Sequence, residues 1–165
     1  MKCRIAAPML LLIGMMPWAE LPAQGQTAQT TFRVTSRVQA VCDVNALDLD
    51  FGFYTGQTDS ARPASTQMQV TCTPNTTYQV GLSEGTSPGA TINQRKMMSG
   101  ASSLNYQLYS DSARSIIWGN TPGTDTVTGV GNGLANDYTV YGLIAPKQSV
   151  PAGSYADTIT LRIYY

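Results

Sequence analysis

GSYADTITLRIYY, residues 153–165, closes the chain. In an extended backbone Ile159, Leu161, Ile163 and Tyr165 share one side, and Thr158, Thr160, Arg162 and Tyr164 share the other. One face is therefore suited to a core. No hairpin partner follows this strand in the sequence, so its neighbour is expected to come from elsewhere.

The same two-residue period recurs along the chain. Phe32, Val34 and Val38 alternate with Arg33 and Arg37, Ser36 interrupting the apolar row, and Leu47, Leu49, Phe51 and Phe53 alternate with Asp48 and Asp50. Met68, Val70 and Cys72 form a third row, Tyr78, Val80 and Leu82 a fourth, and Leu104, Tyr106 and Leu108 a fifth. A further strand is expected at residues 138–144, YTVYGLI, and a short apolar piece, SIIWG, carries Trp118. Residues 84–100, rich in Ser, Gly and Pro, read as a long connection, and residues 119–133, almost wholly Gly, Thr, Asn, Asp and Pro, read as loop. No window of ten or more residues repeats near 3.6, so no substantial helix is expected. Short alternating strands between Gly and Pro turns predict an all-β, antiparallel two-sheet sandwich.

At the amino terminus Lys2 and Arg4 precede the short apolar run MLLLIGMM, and Ala23 and Gly25 supply small residues before Gln26. This is the pattern of a secretory signal over residues 1–25. The run is too short to span a bilayer. Its removal leaves about 140 residues, enough for one domain, with eight basic and nine acidic side chains. No basic cluster is present, so no nucleic-acid partner is expected. Cys3 leaves with the signal, and Cys42 and Cys72, with 29 residues between them, are expected to form one structural disulfide in an exported chain.

Chemistry finds few residues to work with. The sequence has no histidine, which removes the usual base for a nucleophile and the usual imidazole metal ligand. Asp48 and Asp50 read as solvated side chains on a strand's polar face, not as an acid–base pair. GVGNG, residues 129–133, lacks both the Lys and the following helix of a phosphate loop and reads as a flexible hairpin connection. NTT, residues 75–77, matches the glycosylation acceptor pattern. Trp118 with Tyr106, Tyr109, Tyr138 and Tyr141 reads as core and sheet-face packing, with a sugar site as the alternative. No enzyme activity, cofactor or metal is expected.

The exported start, TFRVTSRVQAVCDV, LDFGFY, VTCTPNTTYQVGLSEG, LNYQLYSD and above all YGLIAPKQSVPAGSYADTITLRIYY together resemble the spore coat protein U domain family. That family includes subunits of archaic, Csu-type chaperone-usher pili, and the resemblance covers essentially the whole mature chain. It implies an immunoglobulin-like sandwich lacking its last strand, which donor-strand complementation completes. The implied partners are a periplasmic chaperone, an outer-membrane usher and neighbouring pilus subunits. Residue by residue, Cys42 and Cys72 match the family's disulfide. The segment with Thr30, Phe32, Val34 and Val38 matches the donor strand, and Ile159, Leu161, Ile163 and Tyr165 match the acceptor groove and chaperone contact.

The resulting expectation is a signal peptide at 1–25, a donor extension at 26–38 and a sandwich domain at 39–165, assembled into a surface fimbrium or coat. The alternatives are a self-complemented secreted coat or matrix protein and a sugar-binding sandwich adhesin.

Overall fold

The computed structural model describes residues 25–56 and 59–165; the signal sequence expected at 1–25 lies outside the described residues but for Gly25. Eight strands and no helix are found among the described residues: β1 Cys42–Ala46, β2 Arg62–Cys72, β3 Thr77–Leu82, β4 Arg95–Ser99, β5 Ser102–Tyr109, β6 Val127–Val130, β7 Ala135–Ile144 and β8 Leu161–Tyr164. They form a five-stranded sheet in the order β1-β2-β7-β5-β4 and a three-stranded sheet in the order β6-β3-β8. Every ladder is antiparallel. The strands fall within one compact unit, Val38–Tyr165.

The alternating rows become the interior of this sandwich. Met68, Val70 and Cys72 of β2, Tyr78, Val80 and Leu82 of β3, Leu104, Tyr106 and Leu108 of β5, and Val140 and Ile144 of β7 are all buried. Period two places each row on one sheet face, and the two faces meet as a single cluster. The Cys42–Cys72 disulfide forms across paired positions of β1 and β2, Cα atoms 4.1 Å apart.

Several boundaries differ from the sequence reading. No strand precedes Cys42 among the described residues, although TTFRVTSRVQAVC alternates like one. Alternation supplies a face, but a strand also needs a neighbour to accept its ladder. Residues 47–53 likewise lie outside the strands: Phe51 is buried while Leu47 and Phe53 are exposed. β4 lies inside the expected connection at 84–100 and β6 inside the expected loop at 119–133. The last strand is shorter than expected, because Ala156 instead bridges to Met98 of β4, in the opposite sheet, before the chain crosses to β3.

The GVGNG stretch is not a free hairpin connection. Gly129 lies in β6 over the hydroxyls of Tyr78 and Tyr138, where a Cβ would collide with both rings. Gly131 donates to Thr76 O and accepts from Asn75 N, so this stretch is tied to the turn between β2 and β3. Asn75, in the NTT pattern, sits at this tie with a positive φ of 64°.

Candidate functional site

The sandwich is open along one side. Between the segment that follows β1 (residues 46–51) and the segment that leads into β8 (residues 155–161) runs a groove of about 590 Å³. Met68, Leu82, Leu108 and Val140, members of the core cluster, line its floor. β8 pairs with β3 on one edge and has no strand on the other among the described residues. The groove is therefore a slot with an apolar floor beside a strand edge that no strand covers among the described residues.

Both walls are fixed by identifiable contacts. On the β1 side Leu47 N donates to Gln67 O, and Leu47 O accepts from the Thr66 hydroxyl. Arg62 Nε donates to Phe51 O at 2.7 Å. Gly142 of β7 lets this wall lie down: a Cβ there would sit 2.7 Å from the Phe51 ring and 3.1 Å from Leu49. Phe51 then meets Tyr106 edge-on, ring centroids 6.0 Å apart.

On the β8 side Asp157 is the anchor. Its carboxylate accepts from Thr86 N, from the hydroxyls of Thr86 and Ser87, and from Tyr106 Oη at 2.7 Å. Burial, and then Asp157, push the Tyr106 hydroxyl well above its ordinary pKa, so it remains a proton donor. Ser83 continues the link, its N–H donating to Thr160 O while its hydroxyl accepts from Thr160 N.

Behind this wall lies a residue that a sequence reading assigns to the surface. Arg95 is fully buried. Its guanidinium donates to Ser83 O at 2.8 Å, Leu82 O at 3.0 Å, Trp118 O at 2.7 Å and Gln107 Oε1 at 2.6 Å. Burial lowers its pKa from the usual value. No carboxylate touches it among the described residues, so main-chain carbonyl dipoles hold the cation and in doing so fix the end of β3.

The residues singled out from sequence divide as follows. Ile159 and Leu161 line the groove. Ile163 packs against the core beyond the groove, and Tyr165 is exposed, because the slot ends before them. Thr30, Phe32, Val34 and Val38 lie outside any strand, and the three apolar side chains are 86, 81 and 86% exposed. Cys42 and Cys72 are joined as expected.

The aromatic set does not make a sugar platform. Trp118 is buried, its Nε1–H donates to Val80 O at 2.8 Å, and its ring meets Tyr138 edge-on. Tyr106 is buried on Asp157, and Tyr141 lies under the Arg114 guanidinium. A buried, hydrogen-bonded indole has no face left for a ring ligand. Asp48 and Asp50 are exposed, Asp50 accepting from Gly52 N. No group of three or more metal-ligating side chains occurs among the described residues.

Fold and groove together define an immunoglobulin-like antiparallel sandwich whose β8 edge carries no strand among the described residues. The model of the Spore Coat Protein U domain matches residues 28–162, and the chain belongs to that family. It is 32% identical over 159 residues to Protein U of Myxococcus xanthus, covering 87% of this chain and 88% of that protein. Among solved structures it is similar to a chain of the chaperone–tip adhesion subunit pre-assembly complex from the archaic chaperone-usher Csu pili of Acinetobacter baumannii. That likeness has 27% identity and a TM-score of 0.59, over 78% of this chain and 40% of that one. A chaperone-usher pilus structure described for rod uncoiling shares the fold at 10% identity and a TM-score of 0.53, over 88% of this chain and 99% of that one. Family and fold are those of structural pilus and coat subunits.

Proposed function

We propose that this chain is a non-enzymatic subunit of an extracellular pilus or surface coat, exported by the signal at 1–25 and polymerised by donor-strand exchange. The observation that carries the reading is the apolar groove beside the bare edge of β8. Such a slot accepts an extended segment that adds ladder hydrogen bonds and inserts alternate side chains. The segment around Phe32, Val34 and Val38 has that alternation, and its apolar side chains are exposed. Burying those three would contribute roughly 1.5–3 kcal/mol each. Together that is comparable to the 5–15 kcal/mol by which whole domains are stable. A periplasmic chaperone would fill the groove first and an outer-membrane usher would exchange it for the next subunit. The likeness to a chaperone–subunit complex supports the chaperone as a partner.

The test is deletion of residues 26–35 in cells that supply a chaperone, read by electrophoresis without boiling, which keeps kinetically stable multimers intact. Chaperone-capped monomers without a ladder are expected. A normal ladder from the truncated chain would reject residues 26–35 as the donor. A full chain that stays soluble and monomeric without any chaperone and never forms a ladder would favour the self-complemented alternative.

A further inference from the structure

The rim of the groove and the donor segment carry opposite charges. Asp48, Asp50 and Asp157 line the groove, and no Lys or Arg does. Residues 26–38 hold Arg33 and Arg37 and no acidic side chain. Neither arginine, nor Asp48, forms an ion pair among the described residues. The side-chain parity of an extended strand makes this more than a difference in net charge. Phe32, Val34 and Val38 occupy even positions and the arginines odd ones, whereas Leu47, Leu49 and Phe51 alternate with Asp48 and Asp50. If a donor lies beside residues 46–51 with both apolar rows facing the core, its arginines must fall on the same outward face as the two aspartates. In an antiparallel register with Thr35 opposite Asp48, Phe32 meets Phe51, Val34 meets Leu49, Arg33 is opposite Asp50, and both arginines lie within diagonal reach of Asp48.

Resting on the donor-strand reading above, we infer that the groove is built to take residues 30–38 of a second copy of this chain, selected by pairing of Arg33 and Arg37 with the Asp48–Asp50 rim. The occupant's complement is encoded in the same sequence, so head-to-tail copies propagate as an open fibre. The apolar row supplies hold; the charged rim supplies encounter rate and choice of partner.

The experiment compares four full-length mature chains: wild type, the Arg33→Glu/Arg37→Glu variant, the Asp48→Lys/Asp50→Lys variant, and the chain carrying all four changes. All four positions are exposed, and the melting temperature of each monomer reports whether the fold is kept, in particular after loss of the Asp50 turn contact. The rate of forming boiling-sensitive multimers is measured at about 0.01 M and about 1 M salt, between which the screening length falls from roughly 30 Å to roughly 3 Å. Each double variant is expected to assemble about tenfold more slowly than wild type at low salt, the four-change chain is expected to recover the rate, and the differences should vanish at high salt. Equal rates for all four at low salt, or slow assembly of the four-change chain with an unchanged monomer fold, overturn the inference and leave donor-strand exchange standing. A wild-type chain that forms no such multimers under any condition overturns both.

Discussion

Replacing Arg95 by Met keeps most of the stem's volume and removes every donor. Ser83 O, Leu82 O, Trp118 O and Gln107 Oε1 then lose the guanidinium they share. A buried acceptor left without a partner costs about 1–3 kcal/mol. Gln107 Oε1 still accepts from Leu108 N, so three carbonyls are left, about 3 kcal/mol at the lower end, partly offset because a desolvated cation is no longer buried. A net loss of about 2–3 kcal/mol is expected, equivalent to a fall in melting temperature on the order of 5–10 °C for a domain of this size. Arg95→Lys should fall between, since an ammonium has three donors and no planar fork. Urea unfolding of the mature, disulfide-intact chain measures this through Trp118, the sole tryptophan after residue 18. Because Arg95 fixes Leu82 and Ser83, and Ser83 is bonded to Thr160 in the groove wall, the same variant should also assemble poorly. A Met variant within about 1 kcal/mol of wild type would refute the account of Arg95 as the node holding this wall, since it would mean the three carbonyls find other partners at little cost.

Cys42→Ser or Cys72→Ser should reduce stability by roughly 3–4 kcal/mol, given the loop the bridge closes, and thiol labelling of both wild-type cysteines without denaturant would contradict it. Ile159→Asp or Leu161→Asp should abolish multimer formation, because each puts a carboxylate into the apolar slot, whereas Tyr165→Asp, at an exposed position, should leave it intact; electrophoresis without boiling separates these outcomes. Burial and hydrogen bonding raise the hydroxyl pKa values of Tyr106 and Tyr138. Their contribution to stability is therefore complete below the unfolded value of about 10 and declines as pH rises above it. Melting temperature should drop beyond about pH 10, and less steeply in Tyr106→Phe; an unchanged alkaline profile in that variant would contradict the assignment.

The core was legible in sequence because period two marks a sheet face wherever one side is buried. The rows at Met68–Cys72, Tyr78–Leu82 and Leu104–Leu108 are read directly from alternation and are the interior. What alternation cannot show is whether a neighbour exists. Residues 32–38 and 47–53 alternate as well as β2 does, yet neither is a strand. β4 and β6 were hidden for the converse reason. RKMMS and VTGV carry few core side chains, and pairing to β5 and β3 makes them strands. Arg95 was illegible because a charged residue reads as surface unless its partners are known, and all but Gln107 are main-chain carbonyls without a sequence signature. The groove was half legible: the apolar row ending the chain pointed to it, but only Ile159 and Leu161 of that row line it. Gly142 and the Asp157 anchor depend on contacts between segments far apart in the chain.

The most direct measurement is amide hydrogen exchange on the assembled fibre and on the uncapped monomer. In the monomer, the amides of residues 30–38 and those on the unpaired edges of residues 48–51 and β8 should exchange rapidly, since no ladder protects them among the described residues. In the fibre all three sets should become slow together, because one inserted strand pairs with both walls at once. Fibres in which residues 30–38 and the edge of β8 exchange as fast as in the monomer would contradict assembly through the groove.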